Sequence, residues 1–358
     1  MITNEIKKRE LPCPLNDNGK IVKSKDEWLT QRQEVKELLS DSCYGTFPAK
    51  PDRIDTKNIK LDIDDFCAAS GVLERKMMLA YFGDIAFPFA FNFSYPNKPG
   101  KFPLVIYIDY SSEMPNQYLP IEDIIDRDIA VASFKYTDIT ADNGDMTDGV
   151  LSRMFPKEST NTGKLMIWAW AASLILDYAL TRDNIDADNV AVAGHGFLGT
   201  AALLAGAYDD RFAFVYPNSS SWTGMALSRG NKNGNLSEHV GRCGYMYSRS
   251  FFELCNNVDT LPYDQHYLAA LVAPRNLYVA NAAEDDGTDT VSEFLTCAAV
   301  NGVYELFGKS GLVHKDAFPC EGDVMHSGNV GYHMRRGTNY MNRYDWDKFI
   351  DFIKSHLN

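Results

Sequence analysis

The stretch Asn189-Val-Ala-Val-Ala-Gly-His-Gly-Phe-Leu-Gly-Thr-Ala-Ala-Leu-Leu-Ala-Gly206 decides how the rest of the chain is read. Val190 to Ala193 is a short apolar run with β-branched residues, the pattern of a strand buried on both faces. Gly194, Gly196 and Gly199 then call for a tight turn, and Thr200 to Ala207 is small, apolar and compatible with a helix. A strand, a sharp glycine turn and a helix in that order push the middle residue of the turn into the open at the top of a sheet. Where such an elbow performs nucleophilic chemistry, that residue is Ser, Cys or Asp. Here it is Gly196, which has no side chain.

At 358 residues, 45% hydrophobic with 20 Phe, 19 Tyr and 5 Trp, the chain can bury a large core and has the composition of an ordered globular protein. A formal net charge of −13 argues against nucleic acid or an anionic membrane surface as partner, since both need clustered Lys and Arg. No apolar run is long enough to span a bilayer. The first ten residues, Met-Ile-Thr-Asn-Glu-Ile-Lys-Lys-Arg-Glu, lack the apolar segment of a signal peptide. The expectation is a cytoplasmic protein, with export following only if a leader has been removed. Seven scattered cysteines without a Cys-x-x-Cys pair read as reduced thiols, with neither a disulfide framework nor a zinc site. Cys243 and Cys255 would be the pair to join in an exported protein.

Working outward from the elbow, residues 1–24 read as an extended leader broken by Pro12, Pro14 and Gly19, and Asp26 to Leu39 as a helix capped by Ser24. Leu73–Tyr81 and Phe87–Phe93 read as antiparallel edge strands. Pro103–Asp109 and Ile129–Phe134 read as buried strands, with Ile121–Arg127 a short helix between them. Lys135–Pro156 is a long acidic loop, and the Trp/Ala/Leu-rich Leu165–Leu180 is a helix leading to the elbow. Phe212–Tyr216 and Leu277–Ala280 are further strands, and Asp345–His356 is an amphipathic closing helix. Strands alternating with helices at this spacing predict an α/β-hydrolase fold, with a mostly parallel central sheet and helices on both faces. With no internal repeat or linker, residues 1–358 are expected to form one domain, with 1–58 an N-terminal extension and helix packed on it.

The elbow, followed by Ala205-Gly-Ala-Tyr-Asp-Asp-Arg-Phe-Ala213, resembles the corresponding segment of the glucuronoyl-esterase and acetylxylan-esterase-like carbohydrate esterases, carbohydrate esterase family fifteen and its bacterial relatives. Further matches are Tyr44-Gly45 within Glu37–Pro48, Trp168-Ala-Trp-Ala with Asp177-Tyr178 and Asp186, and Leu261-Pro-Tyr-Asp-Gln-His-Tyr-Leu-Ala-Ala-Leu-Val-Ala-Pro-Arg275. Asn281-Ala-Ala-Glu-Asp285, Gly331-Tyr-His-Met-Arg-Arg-Gly337 and Tyr344-Asp-Trp346 extend the match to the C-terminal third. The resemblance implies a carboxylic ester hydrolase architecture and no cofactor or metal.

It also implies where chemistry belongs. The family nucleophile Ser falls on Gly196, the Arg that helps hold the oxyanion on Phe197, and the Lys that contacts the substrate uronate on Thr200. The general-base His falls on Asn339. One family acid position falls on Ser219; the other keeps Glu284, Asp285 and Asp289 but replaces its Trp by Gly287. A triad needs a hydroxyl or thiol to attack, an imidazole to take the proton and a carboxylate to orient it. Gly196 cannot attack, and Asn339 cannot act as a base near neutral pH.

No catalytic residue is therefore expected intact at the family positions Gly196, Asn339, Ser219 and Asp285. The chain reads as a pseudo-esterase whose cleft binds a plant cell-wall saccharide or a partner protein, with Phe197, Thr200, Trp222, Glu284, Asp285, His333 and Tyr340 as cleft candidates. The acidic run Glu284–Asp286 with Asp289 reads as a solvated loop before it reads as a cation site. The alternative is an active acetylxylan or glucuronoyl ester hydrolase with a relocated catalytic set. His333 or His266 would then replace the base, and Cys243 or Ser219–Ser221 the nucleophile. A third reading makes the chain an oligomer subunit beside an active paralogue.

Overall fold

The computed structural model describes residues 1–17, 19–61, 70–113, 119–154, 161–220 and 222–357. Helix α1 (Ile2–Lys8) and a two-residue hairpin, Asn16–Asp17 with Lys20–Ile21, occupy the segment expected to be extended. The leader is folded because it is anchored: Ile2 is buried, and the buried Arg9 guanidinium donates to the Arg229 carbonyl at 3.0 Å and to the Ser292 hydroxyl at 2.6 Å. Helix α2 (Lys25–Leu39) is capped by Ser24, whose hydroxyl accepts from the Glu27 amide, and buries Trp28, Val35 and Leu39.

The chain then enters the sheet with β1 (Arg53–Ile59), β2 (Gly71–Phe82) and β3 (Ile85–Pro96). Next come β4 (Phe102–Asp109), α3 (Ile121–Ile125), β5 (Ala130–Lys135), α4 (Lys164–Ala179) and β6 (Ile185–His195). Helix α5 (Phe197–Tyr208) follows, then β7 (Phe214–Asn218), α6 (Leu236–Cys243), β8 (Asn276–Ala282), α7 (Thr290–Ala299), β9 (Val324–Met325), β10 (Val330–Arg335) and α8 (Arg343–Ser355). The 10-stranded sheet has the order β9-β10-β8-β7-β6-β4-β5-β3-β2-β1. Strands β5, β4, β6, β7, β8 and β10 run parallel, and antiparallel strands close both edges. This is the expected mostly parallel sheet, and its order is that of an α/β-hydrolase.

Both faces are covered, and the period of two along β4 sorts its side chains between them. Leu104, Ile106 and Ile108 join the core under α4 and α5, whereas Val105 and Tyr107 join a second core under α3 and α8. Every residue of β4 is buried, which explains its continuous apolar sequence. Besides α1, several short elements went unread, among them β1, β10, α6 and α7. β1 alternates polar residues on an exposed edge, β10 is interrupted by His333 and Arg335, and α7 follows its Asp289 cap directly with Thr290-Val291; α6 is short and polar. The long acidic loop contains a helical turn at Leu151–Met154, and its carboxylates are partly neutralised by the buried Lys164, whose ammonium lies 3.1 Å from Asp148. Residues 155–160 and Ser221 lie outside the described residues. All six described cysteines, Cys243 and Cys255 among them, are free thiols. Among the described residues no helix is long and apolar enough to cross a membrane.

Candidate functional site

Four neighbouring parallel strands end side by side, and the loops that leave them carry the positions singled out in the sequence. β6 ends at His195 and turns at Gly196, β7 leads into Ser219, β8 into Asp285, and β10 into Asn339. The carboxyl edge of a parallel sheet is where α/β proteins place their sites. The turn at Gly196 has φ 59° and ψ −133°, a conformation that side chains rarely adopt. Its amide donates to the Asn218 carbonyl at 3.0 Å, and its carbonyl accepts the first bonds of α5 from Gly199 and Thr200. Gly194 makes the sharpness possible, since a Cβ there would lie 2.1 Å from the Leu198 carbonyl oxygen.

The space above Gly196 is occupied. The Tyr110 hydroxyl, arriving from the end of β4, donates to the His195 carbonyl at 2.9 Å and lies 3.0 Å from where a Cβ on Gly196 would be. Phe197 packs edge-on against Tyr110 at 5.4 Å and against Tyr136 at 5.5 Å, and Trp168 lies 5.6 Å behind it. Phe197 is therefore part of an aromatic wall. The Tyr136 and Tyr245 hydroxyls both donate to the Asp142 carboxylate, at 2.9 and 2.7 Å. Burial, with the adjacent Asp142 charge, holds both phenols well above the ordinary range, so they act as donors.

On the other side, the β8 and β10 loops are bound to each other: the Ala283 amide donates to the Arg335 carbonyl at 2.8 Å and the Glu284 amide to the Gly337 carbonyl at 2.9 Å. Asp285 and Asn339 flank Gly287. A Cβ on Gly287 would lie 3.3 Å from Asp285 Oδ1 and 3.6 Å from Asn339 Nδ2. Asp285 is 9% exposed; its Oδ1 accepts the Gly287 amide at 2.8 Å, and its buried Oδ2 has no hydrogen-bond partner among the described residues. Glu284 is turned outward with Arg336 3.8 Å away, and Tyr340 and Asn339 are exposed. Ser219 has φ 41° and is buried, with its amide on the Ala280 carbonyl. Asp289 caps α7 and accepts the Lys232 amide, so it does not converge with Asp285. Among the described residues no group of three His, Cys, Asp or Glu side chains could hold a metal ion.

Several candidates belong elsewhere. His333 is fully buried between sheet and α8, with Nδ1 2.8 Å from the Tyr278 hydroxyl and Nε2 3.0 Å from Asp345, so it is not a cleft residue. Its side chain follows the β10 pleat to the face of Tyr278 and Phe349. His266 is buried against the Pro12 carbonyl at 2.8 Å, and burial lowers its pKa; it holds the N-terminal segment. Thr200 is 1% exposed with its hydroxyl on the Ser220 carbonyl, so it presents nothing to a ligand. Trp222 lines a separate cavity with Asn231, Asn235 and Asn257. His195 is buried with Nδ1 2.6 Å from Asn218 Oδ1, and its pKa is lowered by burial, a structural imidazole as its place before the turn suggests.

No motif marks Tyr110 or Tyr136, and Asp142 reads only as part of the acidic loop; the sheet order brings all three toward the elbow from earlier loops. Nor does a motif mark His239, whose Nε2 lies 2.9 Å from the Tyr247 hydroxyl and 3.5 Å from Cys243 Sγ. Their spacing of four on α6 is the available signal. This thiol–imidazole pair is not activated. Burial raises the Cys243 pKa and lowers that of His239 to about 4, so both are neutral near pH 7.

Residues 83–308 match the family model of the fungal glucuronyl esterases. A carbohydrate esterase from an unknown prokaryotic organism is 34% identical over 242 residues, 66% of this chain and 56% of that protein, so the matched part spans little more than half of that relative. The 4-O-methyl-glucuronoyl methylesterase 1 of Wolfiporia cocos is 27% identical over 313 residues, 83% of this chain and 72% of the fungal protein. The solved glucuronoyl esterase of Solibacter usitatus superimposes with a TM-score of 0.87 at 27% identity, covering 97% of this chain and 98% of that one. With the elbow, the sheet order and the strand-end loops in the family arrangement, the chain belongs to the glucuronoyl esterase family of carbohydrate esterases.

Proposed function

We propose that this family member binds a carbohydrate ligand in the elbow cleft and has given up serine-dependent ester hydrolysis. The observation that carries the reading is the replacement of an attacking side chain at Gly196 by the Tyr110 hydroxyl packed over the turn. Loss of nucleophile or base alone typically costs several orders of magnitude in rate, and Asn339 adds the second loss. What remains suits binding: an aromatic wall at Phe197 and Tyr110, an exposed amide at Asn339, and beside it the Asp285 carboxylate, 9% exposed as a residue. The relatives named as glucuronoyl methylesterases make a glucuronate the first ligand to test.

The test pairs activity with binding. Hydrolysis of an aryl acetate and of benzyl glucuronate is expected at the buffer rate, while methyl glucuronate is expected to bind saturably in calorimetry and to lose binding in Asp285→Ala. Turnover above buffer would overturn the reading. The second reading, a relocated catalytic set, has one foothold in the Cys243–His239 pair, whose neutral state weighs against it. Turnover abolished by Cys243→Ala would establish it.

A further inference from the structure

A row of hydrogen bonds runs from a half-buried ring to the first turn of α8. His326 Nε2 lies 2.9 Å from the Tyr278 hydroxyl, that hydroxyl lies 2.8 Å from His333 Nδ1, and His333 Nε2 lies 3.0 Å from Asp345 Oδ1. His326, directly after β9, is half-buried, whereas Tyr278, His333 and Asp345 are each at most 1% exposed. We propose that this row is a proton relay, which carries a proton from solvent at His326 through the Tyr278 hydroxyl to His333 and holds one charge at a time on its two imidazoles.

The directions follow from counting donors. An ionised Asp345 only accepts, so Nε2 of a neutral His333 carries the hydrogen and its Nδ1 is bare. The Tyr278 hydroxyl then donates to Nδ1, and its oxygen accepts from Nε2–H of His326. A proton on His333 reverses the middle of the row. His333 Nδ1–H now donates to the phenol oxygen, the phenol donates to His326 Nε2, and His326 is neutral with its hydrogen on Nδ1. With both rings charged, the phenol would face two N–H donors and its own hydrogen would have no acceptor in the row, a costly arrangement in a buried place. The transfer balances. A solvent proton binds His326 Nδ1, the His326 Nε2–H bond breaks as an O–H bond forms on Tyr278, and the former phenol O–H bond breaks as an N–H bond forms at His333 Nδ1. One proton enters, and Tyr278 ends as the phenol it was.

The surroundings suit this transfer. Burial, with the charge of Asp345, holds the Tyr278 phenol well above its ordinary range, so it passes protons as a neutral hydroxyl. A carboxylate in contact favours the charge on His333 over His326. From α8, His326 faces Lys348, Asp351, His356 and the Phe352 ring at 5.7 Å. Burial, then the charge of His333, lowers its pKa to about 4; Lys348 and His356 add to the lowering and Asp351 opposes it. His333 faces the Tyr344 ring at 5.6 Å, and Arg335 holds the other oxygen of Asp345. Arg335 in turn donates to the carbonyls of Arg336 and Thr338, in the loop that carries Asn339. The relay therefore delivers its charge to the group that fixes this loop, whether or not a sugar binds beside it.

Two-bond proton–nitrogen NMR of the imidazoles in the whole chain, titrated from about pH 8 to about pH 4, reads tautomer and charge together. His326 is expected to pass from the Nε2–H to the Nδ1–H form, still neutral, in the step in which His333 becomes charged. In Tyr278→Phe, which keeps the ring and removes the hydroxyl, the His326 tautomer should no longer follow His333. In His326→Phe, a change at a half-buried position, proton exchange between His333 and solvent should slow about tenfold or more, since opening of the core is then the remaining route. A His326 tautomer that stays fixed while His333 takes a proton would overturn the relay, as would a His333 that stays neutral throughout. So would a tautomer that still follows His333 in Tyr278→Phe, or unchanged exchange in His326→Phe. If Tyr278→Phe does not fold, the native titration and His326→Phe decide the matter.

Discussion

The Tyr110 hydroxyl donates to the His195 carbonyl at 2.9 Å and stands 3.0 Å from the point that a Cβ on Gly196 would occupy. Placing a serine at the elbow therefore meets two obstacles: the positive φ of 59° and a phenol pinned between its acceptor and Phe197. Gly196→Ser is expected to cost about 1–3 kcal/mol in urea denaturation. Tyr110→Phe in the same background should return part of it by removing the oxygen nearest the new side chain.

The same contact governs attempts to install a serine–histidine pair. The double variant Gly196→Ser/Asn339→His is expected to hydrolyse aryl acetates at the buffer rate, and the triple variant adding Tyr110→Gly to exceed it. Activity already present in the double variant would show that the phenol moves aside.

Asp345 ties the second core together. It accepts from His333 at 3.0 Å, from Arg335 Nε at 2.8 Å and from the Asn342 amide at 2.8 Å. Asp345→Ala leaves the buried Arg335 without its carboxylate partner and removes the Asp345 half of the α8 capping box, whose N-cap is Asn342, a loss expected to reach about 3–5 kcal/mol. Burial alone would raise the Asp345 pKa, but the His333 hydrogen bond and the charges of His333 and Arg335 outweigh it and hold the carboxyl below the usual range. Its stabilisation is then present above the unfolded carboxyl pKa of about 4 and is lost as pH falls through the lower folded value. Asp345→Asn should flatten the acid limb of the stability curve.

His239 acts at milder pH. Burial lowers its pKa from 6.5 to about 4, so between those values the unfolded chain binds a proton that the folded one refuses. Stability is expected to fall on acidification through that window, by up to about 3 kcal/mol. His239→Gln should remove this part of the dependence, leaving the steeper loss below pH 4 intact.

Arg9 fixes the N-terminal segment to the loop that follows Arg229 and to helix α7 through the Arg229 carbonyl and Ser292. Arg9→Ala is expected to cost about 1–3 kcal/mol by leaving the buried Arg229 carbonyl without the guanidinium, while Ser292 keeps its bond to Asp289. Amide hydrogen exchange should rise in residues 228–235 before it rises in the sheet.

Much of the architecture was legible. The buried strands announce themselves because both faces are apolar, as in β4, and helices such as α2 carry a stripe and a cap, Trp28, Val35 and Ser24. α1 and β10 were not, because what stabilises them is remote: Ile2 and Arg9 are held by the 229 and 292 regions, and His333 and Arg335 are tolerated in a strand because Asp345 on α8 receives them.

The candidate site divides in the same way. If the family nucleophile and base fall at 196 and 339, as the resemblance implies, the letters there cannot supply them in any fold, since glycine has no side chain and an amide does not take protons near neutral pH. Which groups surround the elbow was decided by the sheet. β4 lies beside β6, so Tyr110 reaches the carbonyl of a residue 85 positions away. The pleat of β10 sends His333 to the opposite core, and the pairing of the β8 and β10 loops sets Asp285 beside Asn339. Sequence spacing fixes direction only within one element; strand order and the face each residue takes exist only once the sheet has assembled.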